Sequence, residues 1–331
     1  MCERNVWLLF TIHFHEIFIT LQIHSAFIDP NGYHFIMSLK PAYGPDILPD
    51  LMYIPPRQNG QATKPRLSSK IRGHLITAVA WNMQNTSQLS TSTILMANTR
   101  GCIFEAELST ETGVFSSGIE KQWKQVYDLG KQGNPSGAIT ALEYHCMSKS
   151  GKYFIIAASA QRIYQFQGEI TGDPENGKPQ LQHIFNNYLY KAEEFIEIPS
   201  ELKYSVMSFH YMPEKVGRLA AKLPLFPMSF GWMTSQGVYH GTIDPFEESK
   251  MLQNCQLVHF EGRRSPLSFV QTAFHAVVAF THVIQGICLL NEQVVFEDSL
   301  DNPIRSIERD PVTGTIYVFT GKIYLHCYFS I

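Results

Sequence analysis

The segment from Gly172 to Pro179 comes closest to a catalytic loop, because its Gly-x-x-x-x-Gly-Lys spacing is that of a phosphate-binding loop. In such a loop the next residue is Ser or Thr, whose hydroxyl binds magnesium, but this chain has Pro179 there. Asp173 and Glu175 would also repel phosphate, and no strand-to-helix pattern surrounds the segment. We therefore predict a surface loop rather than a nucleotide site.

Near the start of the chain, His13 and His15 are spaced so that both rings would lie on one face of a strand, beside Glu16. Two imidazoles on one face could begin a zinc site, but no third ligand is apparent for it. Residues 10–14 alternate apolar and polar side chains, which indicates a strand with a solvated face rather than a signal peptide. No metal ion and no cofactor is predicted.

A basic stretch runs from Arg57 to His74 without an acidic residue. It could touch anionic lipid or an acidic segment of a partner, and the simpler interpretation is a loop with a solvated basic face. Its charged side chains are those of Arg57, Lys64, Arg66, Lys70 and Arg72. An acidic group is likewise predicted to lie on the surface, and it consists of Glu193, Glu194, Glu197 and Glu201.

The elements that must position these residues are strands arranged in a repeat. The clearest copy consists of a strand at Ile76–Trp81, a second at Thr93–Asn98, a turn at residues 99–101 and a third strand at Cys102–Glu107. A unit this small cannot bury its own apolar face, so copies must stack on one another. Four-stranded copies in a row predict an all-β fold, a β-propeller of about seven blades that resemble WD repeats.

Six copies are clear in the sequence, and a seventh is expected around residues 204–209. The first strands of the clear copies begin near Ser25, Ile76, Ile139, Met228, Leu267 and Ile304. A β-sandwich with many hairpins is the alternative, and the constant internal order of the copies favours the propeller. Helical periodicity is weak throughout, with one turn predicted between Lys191 and Ile198.

The composition agrees with a globular chain and excludes some partners. The 331 residues carry a net charge of −3, which gives no electrostatic basis for binding nucleic acid. The six cysteines form no Cys-x-x-Cys pair, and we interpret them as reduced thiols of a cytoplasmic protein rather than a disulfide framework.

Catalysis in a propeller channel is the main functional alternative to a binding role. A catalytic serine turn of the form Gly-x-Ser-x-Gly does not occur in this chain. Propeller hydrolases usually gather acidic or arginine side chains at the central channel. The candidate first strands instead present small hydroxyl residues among apolar neighbours, namely Thr77, Ser208, Ser229 and Ser268. We predict no catalytic residue, and a hydrolase remains the alternative, together with a generic coat or nuclear-pore propeller.

Several strings of residues resemble a specific family. Gly73-His74 ahead of Ile76–Trp81 is similar to the opening of a WD-type blade, although the closing Trp-Asp pair is missing. More distinctive strings are Ala26–Gly32, Gly73–Asn82, Gly101–Leu108, Arg162–Phe166, Pro199–Ser205, Gly231–Met233 and Gly237–Gly241. Through these strings the chain from residue 24 to 331 resembles the N-terminal propeller of the deep orange vacuolar-sorting family, the Class C core subunit of the HOPS and CORVET tethering complexes.

The resemblance implies a non-enzymatic scaffold for vesicle docking and SNARE-mediated fusion in transport to lysosomes or vacuoles. The implied partners are other Class C subunits and SNARE proteins, with peripheral contact to late endosomal and lysosomal membranes. Residues 1–22 differ from the usual start of the family, and we expect a divergent segment that could supply a closing strand to the propeller of residues 23–331. The helical solenoid and zinc-binding RING domain of the family are not expected in this chain.

Overall fold

The computed structural model describes most of the chain, in two compact units. The units are residues 1–159 with 166–194, and residues 160–165 with 195–331. The described residues are 21–44, 47–56, 63, 65–68, 70–82, 86–109, 120–129, 137–147, 152–159, 162–169, 181–186, 194–197, 206–211, 227–244, 252–260, 264–309, 315–320 and 325–328.

Six sheets account for nearly all the regular structure of the described residues, and consecutive strands are neighbours in each sheet. The first sheet contains β1 (Leu21–Ile28), β2 (Phe35–Pro41), β3 (Asp50–Ile54) and β4 (Arg66–Leu67). The second contains β5 (Ile76–Ala80), β6 (Ile94–Asn98), β7 (Cys102–Leu108) and β8 (Glu120–Asp128). The third contains β9 (Ala141–Met147), β10 (Lys152–Ala158), β11 (Arg162–Glu169) and β12 (Glu194–Glu197), and the helix α1 (Gln182–Asn186) lies between β11 and β12 in sequence.

The remaining three sheets belong to the second unit. The fourth sheet contains β13 (Val206–Tyr211), β14 (Pro227–Met233), β15 (Gly237–Ile243) and β16 (Leu252–His259). The fifth contains β17 (Ser268–Gln271), β18 (His275–Ala279), β19 (Val283–Cys288) and β20 (Val294–Ser299). The sixth has three described strands, β21 (Ile304–Arg309), β22 (Ile316–Thr320) and β23 (Leu325–Tyr328).

Apolar faces between neighbouring sheets form the core of each unit. In the first unit, Ile36 and Leu51 of the first sheet pack in one cluster with Ile94 and Met96 of the second. In the second unit, similar clusters join the fourth sheet to the fifth and the fifth to the sixth. The central strands β6 and β7 are buried along their whole length, because sheets that are covered on both sides leave no solvent face. Face-to-face stacking of small sheets is the way that propeller blades bury their apolar surfaces.

The repeat identified in the sequence corresponds to these sheets. The predicted first strands near Ser25, Ile76, Ile139, Leu267 and Ile304 are β1, β5, β9, β17 and β21. The assignment at Met228 was wrong, because β14 is the second strand of its sheet. Its first strand is β13, where a seventh copy was expected, and Ser208 pairs there with Gly231. Residues 212–226 separate β13 from β14 in the sequence. Because of this long gap, the two strands of one hairpin were assigned to two different repeats.

The helical turn predicted between Lys191 and Ile198 was also wrong. Residues Glu194–Glu197 form strand β12, which lies beside β11 at the edge of the third sheet. Sheet pairing overrides a weak local helical preference in so short a segment. The helix of this region is α1, in which Ile184 and Phe185 are buried.

Some predicted features lie outside the described residues. These are the strand predicted at residues 10–14, and with it the closing strand that residues 1–22 could supply, the loop at residues 172–179, Arg57 and Lys64 of the basic stretch, and Glu193 and Glu201 of the acidic group. The predicted boundary at residue 22 falls just inside β1, whose first residue Leu21 is buried. In the part of the chain that is described, no helix is long and apolar enough to cross a membrane.

Candidate functional site

The hydroxyl groups that the sequence placed on first strands bind the neighbouring sheet. In the first unit, Thr77 on β5 donates to the carbonyl oxygen of Ile139, just before β9, at 2.5 Å. In the second unit, Ser268 on β17 accepts a hydrogen bond from the backbone nitrogen of Ile307 on β21 at 3.1 Å and donates to the carbonyl oxygen of Ile307 at 3.3 Å. A hydroxyl that gives its proton to a backbone carbonyl is not activated as a nucleophile, since activation requires an adjacent base.

Ser208 and Ser229 take part in the same kind of joint around Gln271. The backbone nitrogen of Gln271 donates to the Ser208 hydroxyl at 3.0 Å, and its side-chain amide donates to the Ser229 hydroxyl at 3.1 Å. Gly231 faces this side chain, and a Cβ there would lie 1.9 Å from the Gln271 Oε1. Thr77 and Ser268 are therefore each used in a contact between neighbouring sheets, and Ser208 and Ser229 share one such contact around Gln271.

Metal-ligating side chains do not converge in the part of the chain that the structure describes. No group of three or more His, Cys, Asp or Glu residues lies within reach of one ion there. His145 and Glu143 form a pair at 2.9 Å on β9. The candidates His13 and His15 lie outside the described residues, so their prediction as a solvated strand stays a prediction. Cys102, Cys255 and Cys288 form no disulfide.

Two carboxylates that sequence reasoning missed are buried in the second sheet. Glu105 and Glu107 on β7 are 1% and 3% exposed. Glu105 accepts a hydrogen bond from the backbone nitrogen of Gln182 in α1 at 3.1 Å, and Glu107 accepts one from the Ser90 hydroxyl at 2.8 Å. Buried carboxyl groups require such partners, and here these hydrogen bonds fix α1 and the loop before β6 against the sheet. The signal that could have revealed them is a pair of acids at alternate positions of a central strand.

Helix α1 is also held by an aromatic cluster. The Phe185 ring lies 5.2 Å from Tyr127 on β8 and 5.0 Å from Phe166 on β11, measured between ring centroids. Tyr127 and Phe166 are themselves 5.1 Å apart in an edge-to-face arrangement. All three side chains are buried, so the helix covers apolar surface of this unit that would otherwise face water.

The described part of the basic stretch precedes β5, the first strand of the second sheet. Lys70 and Arg72 are exposed, and Arg100 in the β6–β7 turn places its guanidinium 3.1 Å from the His74 Nδ1. Burial, and then the charge of Arg100, lower the pKa of His74, so the imidazole is neutral and its Nδ1 accepts. The other side of His74 packs edge-on against Phe104, whose ring stacks on Trp123 at 4.4 Å. The exposure of Lys70 and Arg72 agrees with a solvated basic face, and for Arg57 and Lys64, which lie outside the described residues, that face stays a prediction.

The class of protein follows from these contacts and sheets. Small antiparallel sheets that stack on one another and are connected through their first strands form a β-propeller, and five of the six described sheets have the four strands of a propeller blade. Residues 13–324 match the Pep3/Vps18/deep orange β-propeller domain. The chain belongs to this family, as the strings from Ala26–Gly32 onward had indicated.

Relatives at moderate identity agree. The chain is 32% identical over 324 residues to the Vacuolar protein sorting-associated protein 18 homolog of Drosophila melanogaster, with 91% of this chain and 30% of that protein covered. It is 30% identical over 311 residues to the homolog of Danio rerio, with 91% and 29% covered. Vacuolar sorting protein 18 of Arabidopsis thaliana is 23% identical over 301 residues, with 87% and 27% covered. The chain thus spans about three-tenths of the length of these relatives.

A solved structure supports the fold independently. The β-propeller domain of Cps50 (Swd1) from Myceliophteria thermophila superposes with a TM-score of 0.51 and 8% sequence identity, with 94% of this chain and all of that chain covered. At this identity the likeness concerns the fold alone.

Proposed function

We propose that this chain is a non-enzymatic interaction module of a vesicle-tethering complex in transport from endosomes to lysosomes or vacuoles. In this role it supports vesicle docking and SNARE-mediated membrane fusion. Its partners are other Class C subunits of the complex and SNARE proteins, and it works in the cytoplasm, in peripheral contact with late endosomal and lysosomal membranes.

The observation that carries the proposal is the family match over residues 13–324, with relatives named for vacuolar protein sorting. Two structural features agree with it. The first-strand hydroxyls, which could have supplied catalytic groups, are used in joints between sheets. The turns at sheet ends instead present charged and apolar side chains to solvent, and surfaces of this kind bind other molecules through shape and charge.

A domain exchange tests the proposal. In fly cells depleted of the Drosophila relative, the segment of that protein that aligns with residues 13–324 is replaced by these residues, and lysosomal degradation of an endocytosed tracer is measured. We expect the hybrid to restore degradation and to co-purify with the other subunits of the complex.

Two further proteins control this experiment. The intact relative gives the full response, and a hybrid with Trp232→Asp, a fully buried position, shows the response of an unfolded propeller. A hybrid that accumulates to the level of the intact relative and still fails in both assays would refute the proposed function.

A further inference from the structure

Three large apolar side chains of the fifth sheet and its turns are exposed. Leu290 in the β19–β20 turn is 78% exposed, Phe274 in the β17–β18 turn 58%, and Val295 near the start of β20 49%. The backbone nitrogen of Leu289 donates to the carbonyl oxygen of Phe274 at 2.8 Å, so the two turns are joined. Single exposed apolar residues are common, but apolar residues on two joined turns, such as Phe274 and Leu290, are a feature of binding surfaces.

Hydrogen bonds hold the turn that carries Leu290 in one shape. The backbone nitrogens of Cys288 and Glu292 donate to the carbonyl oxygens of Gln293 and Cys288, each at 2.9 Å. Glu292 has a φ of 61°, in the left-handed region that disfavours residues with a side chain. An outlier of this kind persists where the surroundings fix it, and such positions are frequent at functional sites.

The neighbouring sheet and turn add further support. Gln256 on β16 donates from its side-chain amide to the carbonyl oxygen of Leu289 at 3.2 Å. In the other turn, the backbone nitrogen of His275 donates to the Thr272 hydroxyl at 3.0 Å, which fixes the loop that carries Phe274. Both apolar side chains are therefore displayed by ordered turns, and a partner would lose little conformational entropy from this side on binding.

The charge of this region selects the partner. Residues 267–303, which comprise the fifth sheet and its turns, contain four acidic residues and no Lys or Arg. Glu292 lies in the turn itself, whereas Glu297 and Asp298 lie farther along β20, opposite Gln285 and Ile284, and Asp301 lies past the far end of that strand; all four are exposed. Arg264 offsets part of this charge through its ion pair with Glu297 at 3.2 Å. An anionic membrane would be repelled by the remaining acids, whereas a basic protein segment would be attracted.

We propose that Phe274 and Leu290 form a docking surface for a basic segment of a partner protein that places an aliphatic or aromatic side chain against them and extends along β20 past Val295. This inference deepens the proposed scaffold function and rests on it for the identity of the partner. The apolar anchor supplies affinity from buried area, and Lys or Arg residues of the partner pair with Glu292 beside the anchor and with the acids farther along β20.

The test uses labelled peptide libraries and the purified chain. In one library a central Leu or Phe is flanked by Lys and Arg; in the second the flanks are Asp and Glu; in the third the flanks are basic and the anchor is Ser. Fluorescence polarisation should show binding only for the first library, weakened by added salt. Leu290→Ser should reduce it about tenfold, since a central apolar anchor carries much of an interface.

Leu89→Ser is the matched control, because Leu89 is 55% exposed and lies in the other unit. It should leave peptide binding unchanged. The proposal is overturned if no library binds, if the acidic or Ser-anchored library binds equally well, or if the two variants behave alike. It is also overturned if Leu290→Ser abolishes a dimer seen by light scattering, or abolishes sedimentation with phosphatidylserine vesicles, since the surface would then bind a second copy or a membrane.

These outcomes are separable from those of the domain exchange. If the hybrid fails and the peptides still bind through Leu290, the proposed function is wrong and the surface remains. The opposite result is also informative. If the hybrid restores degradation, and Leu290→Ser changes neither the recovery of subunits by the hybrid nor peptide binding by the purified chain, the proposed docking surface is wrong and the proposed function remains.

Discussion

Removing the Phe185 side chain should detach helix α1 from its sheet. Phe185 is fully buried and packs against Tyr127 and Phe166, as described above. Truncation of a buried Phe to Ala costs about 3–5 kcal/mol from lost apolar burial and the cavity that remains. A five-residue helix has no stability of its own in water, so α1 depends on this packing.

The expected change in melting temperature follows from the size of the chain. At about 2.1 cal/mol/K per residue, unfolding of the 331 residues has an entropy of about 0.7 kcal/mol/K. A loss of about 3–5 kcal/mol should therefore lower Tm by about 4–7 °C in scanning calorimetry. Hydrogen exchange followed by mass spectrometry should show faster exchange at residues 181–186, including the Gln182 amide that binds Glu105.

His183→Ala provides the control, because His183 is on the same helix and exposed. It should change stability by no more than about 0.5 kcal/mol. If Phe185→Ala matched His183→Ala in both Tm and exchange, the aromatic cluster would not hold the helix, and the reasoning would be refuted.

Three further predictions concern stability. Gly237→Ala should lower the free energy of unfolding by about 1–3 kcal/mol in a denaturant titration, because the new Cβ would lie 2.2 Å from the backbone oxygen of Val258. Gly137→Ala is the control and should be nearly neutral, because the space around Gly137 is open. Burial lowers the pKa of His34, although Asp29 opposes the shift. Its neutral ring accepts from the Tyr53 hydroxyl and donates to Ser87, both at 2.6 Å, so the stability it gives is complete above about pH 6.5 and is lost as the pH falls. Tm should therefore fall more steeply between about pH 7 and about pH 5 in the native chain than in His34→Gln, and equal slopes would contradict this. A deletion of residues 1–20, which ends just before β1, tests the predicted closing strand. It should lower Tm, because the propeller would lose a strand, and an unchanged Tm would contradict the closing strand.

The sequence predicted most of the strand architecture because alternation and turn residues act locally. Strand β5 and the β6–β7 turn follow directly from the apolar pattern between Ile76 and Leu108. The sequence failed where pairing depends on distant residues. The long gap at residues 212–226 concealed the pairing of β13 with β14, and α1 is too short to show helical periodicity.

Side-chain contacts across sheets were beyond the reach of sequence patterns. Thr77 and Ser268 were correctly placed on first strands, but their partners Ile139 and Ile307 are 62 and 39 residues away in sequence. The burial of Glu105 is similar, because its partner Gln182 follows 77 residues later. Such contacts are set by the stacking of sheets, and no local rule specifies which residue of the next sheet will face a given hydroxyl or carboxylate.

The division of polar groups between joints and exposed ends bears on how the chain can bind partners. Hydroxyls and carboxylates that hold sheets together cannot also serve a ligand without loss of stability, since a buried group deprived of its partner costs about 1–3 kcal/mol. Partner binding therefore falls to the turns, and two groups of turns differ in charge. The residues around the second sheet are basic, through Lys70, Arg72 and Arg100, whereas the turn of the fifth sheet carries Glu292 and that sheet has no Lys or Arg. Added salt should weaken binding at either end, but only a basic partner should respond to substitutions around Leu290. A chain of nearly neutral net charge can thus distinguish partners of opposite charge, because the relevant field is that of each local surface.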